Sequence, residues 1–324
     1  MRKMVSQNEL DVKAKGGTEL LGERLERLVA PDLLKDFQII RSRFRGFDES
    51  KKHHVFWEHD LPEDPESVTV FENEKILERL DAIVFLTRWQ RNEFLRTFPK
   101  LLPHKCAIIR NAIDPIDILQ KQKVDDKIHL IYTPTPHRGL ELLVPVFHAL
   151  TQEFPNKLHL DVYSSFKLYG WEERDKPYQK LFEDIKSHPD MTYHGTVSND
   201  KIREALLKSD IFVYPSIWKE TSCLCLIEAM SAGLTCVCSD LAAIPETSGN
   251  LIHLYSYIPD LNIHLQTFYN ACRGTIHQYI NGPRGLSEAA NFTKTYSDML
   301  HNTELMRLNW THILNMIKVS HEKV

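Results

Sequence analysis

The sequence predicts an α/β fold made of parallel sheets with helices on both faces, divided into two domains. Three observations predict it. Apolar runs of four or five residues alternate with stretches of helical periodicity along most of the chain. One segment, Asp210 to Cys238, spells strand, polar loop, helix and strand in succession. The chain has 324 residues, enough for two domains of ordinary size, and a polar stretch without strong period, Asp114 to Lys127, lies between the two halves.

Residues 1 to 15 are polar and weakly patterned, with Met4-Val5 as the one candidate for a first strand. Gly16-Gly17 then opens an amphipathic helix carrying Leu20, Leu21, Leu25, Leu28 and Val29, and Pro31 stops it. A Gly-Gly turn at a helix start lets backbone approach a phosphate. Phe37 to Ile40 and His54 to Trp57 read as strands. The second runs into Glu58-His59-Asp60, a polar cluster where a parallel strand meets the ligand edge of its sheet. His59 and Asp60 there suit holding an acceptor hydroxyl or moving a proton; they also suit plain capping of a strand end. Phe71 to Leu80 is expected to be helical and Ala82 to Leu86 a buried strand. Thr87 should cap a helix over Arg88–Phe98, and Lys105 to Ile109 closes the domain.

Ile128 to Tyr132 opens the second half. Thr133-Pro-Thr-Pro-His-Arg138-Gly follows, then a helix to about Phe154. A cation at a helix start is disfavoured by the dipole, which points to a ligand role for Arg138. Strands are expected at Leu158–Tyr163 and Met191–His194. Between them lies a long aromatic loop with Phe166, Tyr169 and Trp171, then a helix over Pro177–Lys186. Gly195-Thr-Val-Ser leads into a helix at Asn199. Asp210 to Tyr214 is a strand stopped by Pro215. Ser222 to Ala232 is a helix with Thr221 and Ser222 as candidate N-caps and Gly233 as its stop, and Leu234 to Cys238 is a strand. An edge strand over Asn250–Tyr255 and helices over Asp260–Asn281, Ser287–Phe292 and Ser297–Val319 complete the chain.

Glu220 sits in the loop before the helix, and Glu228 is expected about two turns inside it. Helical side chains lean toward the N-terminus, so both carboxylates face one edge. That edge bears unpaired N–H groups suited to phosphate. Carboxylates repel phosphate and suit hydroxyls on either side of it. Hydroxyls, phosphates, hydroxyls is the pattern of a nucleotide-sugar, with Glu228 for the ribose and Glu220 for the sugar. The plain alternative is two acids favoured by the helix dipole.

Tyr214-Pro-Ser, the paired glutamates, Glu228-Ala-Met-Ser-Ala-Gly and Ile244-Pro-Glu246 together resemble the retaining GT-B glycosyltransferases of glycosyltransferase family 4. The resemblance implies two Rossmann-like domains facing across a cleft. The N-terminal one is reduced and spans 1–115, 116–127 is the linker, and 128–324 binds the donor. A final helix, 297–319, packs back on the first domain. It further implies backbone contacts to sugar and phosphates at Ser222, Cys223 and Leu224, and contacts to the base at Gly195, Thr196 and Val197. Arg138 takes the place of the family's diphosphate-binding Lys, while Thr133 and Thr135 stand where an Arg is usual. Gly17 faces the donor phosphates, and His59 and Asp60 face the acceptor. Ser222-Cys223 replaces the family's commoner Phe-Gly.

Composition narrows the function. Hydrophobic residues make up 42% and charged residues 26%, which is globular, and a net charge of −4 offers no basic field for nucleic acid. No apolar run reaches the roughly eighteen residues a span needs, and the N-terminus has no signal-peptide core, so a cytoplasmic protein is expected. Arg41-Ser-Arg-Phe-Arg45 with Lys51-Lys52 is open to two readings: a solvated loop, or peripheral contact with a lipid surface or an anionic acceptor. Six cysteines fit free thiols. Neither Cys223-x-Cys225 nor Cys236-x-Cys238 has zinc-ribbon spacing, and no Asp-x-Asp motif stands out, so no metal and no cofactor are expected. The expected activity is metal-independent, retaining transfer of a sugar from a nucleoside-diphosphate sugar to a carbohydrate or glycolipid hydroxyl. Its catalytic residues are Glu220, Arg138 and His59. A non-catalytic nucleotide-sugar-binding subunit and a nucleotide-sugar epimerase are the competing readings.

Overall fold

The computed structural model describes residues 16–322, so Met4-Val5 lies outside the described residues. Two compact units result. One holds the described residues up to Asp114 together with Leu300 onward, and the other holds Pro115–Met299.

In the first unit α1 (Gly17–Leu28) and α2 (Pro31–Leu34) precede β1 (Phe37–Arg41) and β2 (His53–Trp57). Then come α3 (Pro65–Phe71), α4 (Glu74–Arg79), β3 (Ala82–Phe85), α5 (Arg88–Thr97) and β4 (Cys106–Ile108). The four strands form one sheet in the order β1-β2-β3-β4, all parallel. β2 is buried along its whole length, and successive side chains serve opposite faces. Phe56 packs with Phe71, Phe85, Phe94 and Phe98 on one face. Trp57 turns to the other, where its ring meets Trp310 of the C-terminal helix edge-on at 4.9 Å. Each such fully buried aromatic contributes on the order of 2–3 kcal/mol.

Two local expectations change here. The stretch Phe71–Leu80 is not one helix. Asn73 accepts the Lys75 N–H at 3.1 Å, starting a new helix where the sequence period runs on unbroken. Gly16 has φ −71 and Gly17 is already helical, so this turn does not draw on a glycine-only conformation. Thr87 caps α5 as expected, accepting from Gln90 N at 3.1 Å.

The second unit runs β5 (Ile128–Tyr132), α6 (Leu140–Glu153), β6 (Leu158–Val162), α7 (Gln179–Ser187), β7 (Met191–Tyr193) and α8 (Asn199–Leu206). It continues with β8 (Ile211–Tyr214), α9 (Leu224–Ser231), β9 (Thr235–Ser239), α10 (Ile244–Ser248), β10 (His253–Tyr255) and α11 (Leu261–Asn281). The six strands are parallel in the order β10-β9-β8-β5-β6-β7. The chain starts mid-sheet at β5, works outward through β6 and β7, and returns to lay β8 against β5. That reversal makes the carboxyl ends of β5 and β8 a topological switch point, where sheets of this kind usually form their ligand crevice.

Two long helices end the chain, α12 (Pro283–Leu300) and α13 (Thr303–Glu322). The sequence pattern places their break near residues 293–296. It falls at His301–Asn302, where Asn302 Oδ1 accepts the Leu305 N–H at 2.7 Å and the His301 ring reaches Asn111 O at 2.9 Å.

Candidate functional site: the β5–β8 switch point

The loop after β5 and the loop after β8 carry the charged residues of the crevice. Arg138 ends a short 3-10 turn, Pro136–Arg138. Glu220 is buried in the β8–α9 loop. Arg138 Nη1 donates to Glu220 Oε1 at 2.5 Å, and Tyr214 Oη donates to the same oxygen at 2.6 Å. Burial disfavours the Arg138 charge, but Glu220, Tyr169 and Tyr214 outweigh it and hold the guanidinium firmly protonated. Trp218 lies against that guanidinium, 5.8 Å from ring centre to carbon.

Gly139 makes this approach possible. Its φ is +132, and a β-carbon there would come within 2.1 Å of the Pro215 carbonyl oxygen. The β8–α9 loop is fixed from the other side by Ser239 Oγ, which donates to Ser216 O at 2.8 Å, and by Ala243 N, which donates to Glu220 O at 3.1 Å. Four buried polar atoms of the β5–α6 loop make no hydrogen bond among the described residues: Thr133 Oγ1, Thr135 Oγ1, His137 Nδ1 and Arg138 Nε. Leaving such groups unpaired costs about 1–3 kcal/mol each, so they mark a place where a ligand supplies partners. His137 stacks on Phe166 at 5.0 Å, and burial, reinforced by the Arg138 and Arg174 charges, lowers its pKa to about 4. It is neutral at neutral pH.

α9 starts at Leu224 with Cys223 as N-cap, and no side chain caps it. Thr221 and Ser222 therefore lie in the loop and are not the caps, and Glu228 is just over one turn into the helix instead of two. The shift follows from the backbone: Cys223 is extended (φ −95, ψ 98), which moves the start downstream. Ser222 and Cys223 are buried and Leu224 is partly so. Glu228 is buried and accepts from Asn199 Nδ2 at 2.9 Å. Asn199 begins α8, two residues after Val197, so the Glu228 carboxylate is tied to the helix that follows the proposed base loop. Gly195 takes the left-handed conformation (φ +65) this loop needs. The loops after β6 and β5 are joined by Ser164 Oγ, which donates to Pro134 O at 2.7 Å. Thr133 lies on the same β5 loop, beside the Cys225 thiol.

Asn199, Tyr214 and His137 escaped the sequence reading as site residues. Tyr214 stood inside the Tyr-Pro-Ser motif, and its signal was a hydroxyl at a strand end where an aliphatic residue would bury as well.

His59 and Asp60 belong to the first unit and form a cluster of their own around Glu58. Glu58 is fully buried. It accepts from Asp60 N at 2.7 Å, Ser67 Oγ at 3.1 Å and Ser42 Oγ at 3.2 Å. Burial, then the Asp60 charge, raises its pKa to about 8. Burial, then Arg41, lowers that of His59 to about 3, so His59 is a poor proton acceptor. The Asp60 pKa is raised, again by burial, with Arg43 opposing. Gly17 occupies the first position of α1 in this unit. Arg43 and Arg45 of the basic run meet Glu66 in ion pairs, at 3.9 and 2.8 Å.

The chain is similar to known glycosyltransferases in sequence and in fold. Residues 130–257 match the family model of Glycosyl transferases group 1. The GPI3 subunit of phosphatidylinositol N-acetylglucosaminyltransferase from Saccharomyces cerevisiae is 24% identical over 216 residues, 62% of this chain and 46% of that protein. O-antigen chain mannosyltransferase B of Escherichia coli is 25% identical over 185 residues, 54% of this chain and 47% of its own. The chain thus spans about half the length of the curated relatives it matches. Among solved structures, a glycosyltransferase from Rickettsia africae superposes with a TM-score of 0.68 at 14% identity, covering 95% of this chain and 84% of its own. The pneumococcal O-GlcNAc transferase GtfA, solved with UDP and GlcNAc, superposes with a TM-score of 0.67 at 16% identity, covering 92% and 60%. The chain therefore has the GT-B glycosyltransferase fold, and residues 130–257 of its six-stranded unit are similar to Glycosyl transferases group 1.

Proposed function

We propose that the chain is a metal-independent, retaining glycosyltransferase that moves a sugar from a nucleoside-diphosphate sugar to a hydroxyl of a carbohydrate or glycolipid. The observation that carries this is the Arg138–Glu220–Tyr214 cluster at the β5–β8 switch point, beside loop atoms that lack partners among the described residues. In this reading Glu220 accepts from sugar hydroxyls, Glu228 from the ribose diol, and Gly195 to Val197 border the base. The diphosphate lies against Arg138 and the backbone N–H groups of Ser222 to Leu224. Thr133 and Gly17 add backbone or hydroxyl contacts to the phosphates.

As the bond from the anomeric carbon to the phosphate oxygen breaks, negative charge grows on the departing diphosphate. Arg138 and the uncapped start of α9 stabilise that charge, and a donor so placed is worth roughly 3 kcal/mol. The acceptor oxygen bonds the anomeric carbon on the same face, and its proton passes to the leaving phosphate. His59, held neutral, then positions the acceptor together with Asp60 and takes no proton. A cytoplasmic enzyme, with or without peripheral membrane contact, fits a cytosolic donor; no helix of the described residues is long and apolar enough to cross a membrane.

The test is a thermal-shift screen of UDP, GDP, ADP and their sugars, followed by donor turnover with the best binder and assignment of the product anomer by NMR. Inverted product overturns the retaining assignment. A non-catalytic nucleotide-sugar-binding subunit is the second reading. The Arg138–Glu220 bond favours it, because the cation is partly neutralised before a diphosphate arrives; binding without turnover would establish it.

A further inference from the structure

In the first unit three side chains from distant parts of the chain converge beside the C-terminal helix. His53 comes from β2, Asp81 from the residue before β3, and His321 from the last turn of α13. Their potential ligand atoms all lie within 4.8 Å of one another. His321 Nε2 is 2.7 Å from Asp81 Oδ1, and His53 Nδ1 is 3.8 Å from Asp81 Oδ2. The two imidazole rings are 4.8 Å apart, centre to centre.

An ordinary ion pair between Asp81 and His321 at a helix C-terminus would explain one of these contacts. It does not explain His53. That residue is only 7% exposed, and its Nδ1 is buried with no hydrogen-bond partner among the described residues. The lone pair or proton there faces a carboxylate oxygen too distant to bond. Asp81 Oδ2 is held in place by the His54 N–H at 2.7 Å, which orients the carboxylate as the outer partners of metal ligands do. Beside the trio, Lys318 pairs with Asp36 at 2.8 Å, so its charge is met.

We propose that His53, Asp81 and His321 bind a zinc ion that fastens α13 to the four-stranded sheet. Two imidazoles and one carboxylate are a borderline-soft set suited to Zn²⁺, with water in the fourth position. Zinc–ligand bonds of about 2.0–2.1 Å put neighbouring ligand atoms about 3.3 Å apart, within a small side-chain movement of the distances here. The cation gives the buried His53 Nδ1 a partner and replaces the direct Asp81–His321 contact. The site serves attachment of the helix and is separate from the sugar-transfer reading.

The full chain, stripped with chelator, is titrated with Zn²⁺ against a chromophoric competitor, and with Co²⁺ while visible absorption is followed. One Zn²⁺ per chain, the intense d–d bands of tetrahedral Co²⁺ and a rise in melting temperature on adding Zn²⁺ are expected. His321→Ala, at an exposed position that leaves folding intact, should bind at least tenfold more weakly and lose the melting shift. Asp81→Asn, which keeps an acceptor for the His54 N–H, should do the same. Equal zinc affinity and stoichiometry in His321→Ala, or octahedral Co²⁺ spectra, would mean an adventitious ion only and overturn the site.

Discussion

Arg138 and Glu220 are bonded to each other at 2.5 Å, although each is assigned to a different part of the donor. The cation proposed for a diphosphate and the carboxylate proposed for a sugar hydroxyl share one edge of the sheet because β5 and β8 are neighbours. Removing either residue therefore does two things. Arg138→Ala withdraws charge stabilisation and leaves Glu220 buried with Tyr214 as its remaining side-chain donor among the described residues; about a 100- to 1,000-fold fall in kcat is expected. Arg138→Lys keeps the charge but not the planar fork, and should recover part of that loss. Glu220→Ala should lower transfer while nucleotide affinity changes little. Because the residues touch, the double variant should cost less than the sum of the singles, by roughly 0.5–3 kcal/mol in a double-mutant cycle on kcat/KM. Strict additivity would show that the pair does not act as a unit.

The Glu228 carboxylate is shared with Asn199, and a ribose diol would have to join that arrangement. Glu228→Gln keeps the size but weakens acceptance from hydroxyls. Calorimetry should show nucleoside diphosphate binding about tenfold more weakly, a loss near 1.4 kcal/mol. The 2′- and 3′-deoxy analogues should bind the wild type more weakly, and Glu228→Gln should discriminate against them far less. Asn199→Ala should shift the same affinity in the same direction, by a smaller amount. A variant that discriminates as well as the wild type would remove Glu228 from the ribose.

What the sequence disclosed and what it hid follow from the range of the interactions involved. The strand–loop–helix–strand unit around Glu220 was legible because each strand is a short apolar run and each loop carries turn residues. Both are local signals. The breaks at Asn73 and at His301–Asn302 were hidden because an asparagine cap overrides an apolar period that continues on both sides of it. The bond between Arg138 and Glu220, 82 residues apart, depends on which strands become neighbours, and no local pattern encodes that. Glu58 looked like one more acid in a polar cluster. Its importance lies in burial, which only the packed sheet creates.

Gly139 is the position where the site has least tolerance. Its φ of +132 is costly for any L-residue, and a β-carbon would overlap the Pro215 carbonyl. The neighbour is backbone on a loop held by Ser239 and Ala243, so it cannot swing aside as a side-chain tip would. Gly139→Ala should destabilise the fold by about 2–4 kcal/mol in urea denaturation. Because the β5–α6 loop must move, donor turnover should fall even well below the melting temperature. A stable, fully active Gly139→Ala protein would mean that the two loops separate freely, against the geometry described.

Glu58 makes stability depend on pH in a direction opposite to that of a salt-bridged carboxylate. Its folded-state pKa is raised to about 8, against 4.5 for the free side chain. Between those values the folded protein keeps a proton that the unfolded chain gives up. Stability from this group is therefore fully present below about pH 4.5 and declines as pH rises toward 8, with no further loss above that. The raised pKa of Asp60 acts in the same sense. Glu58→Gln substitutes a permanently neutral group of the same shape. Its carbonyl can accept from Asp60 N, and its amide can donate to Ser67 Oγ. Melting temperatures measured from pH 5 to 9 should decline less steeply in Glu58→Gln than in the wild type, with the variant the more stable of the two at pH 8. Parallel curves would show that Glu58 is ionised in the folded protein throughout, and that its serine and backbone donors outweigh its burial.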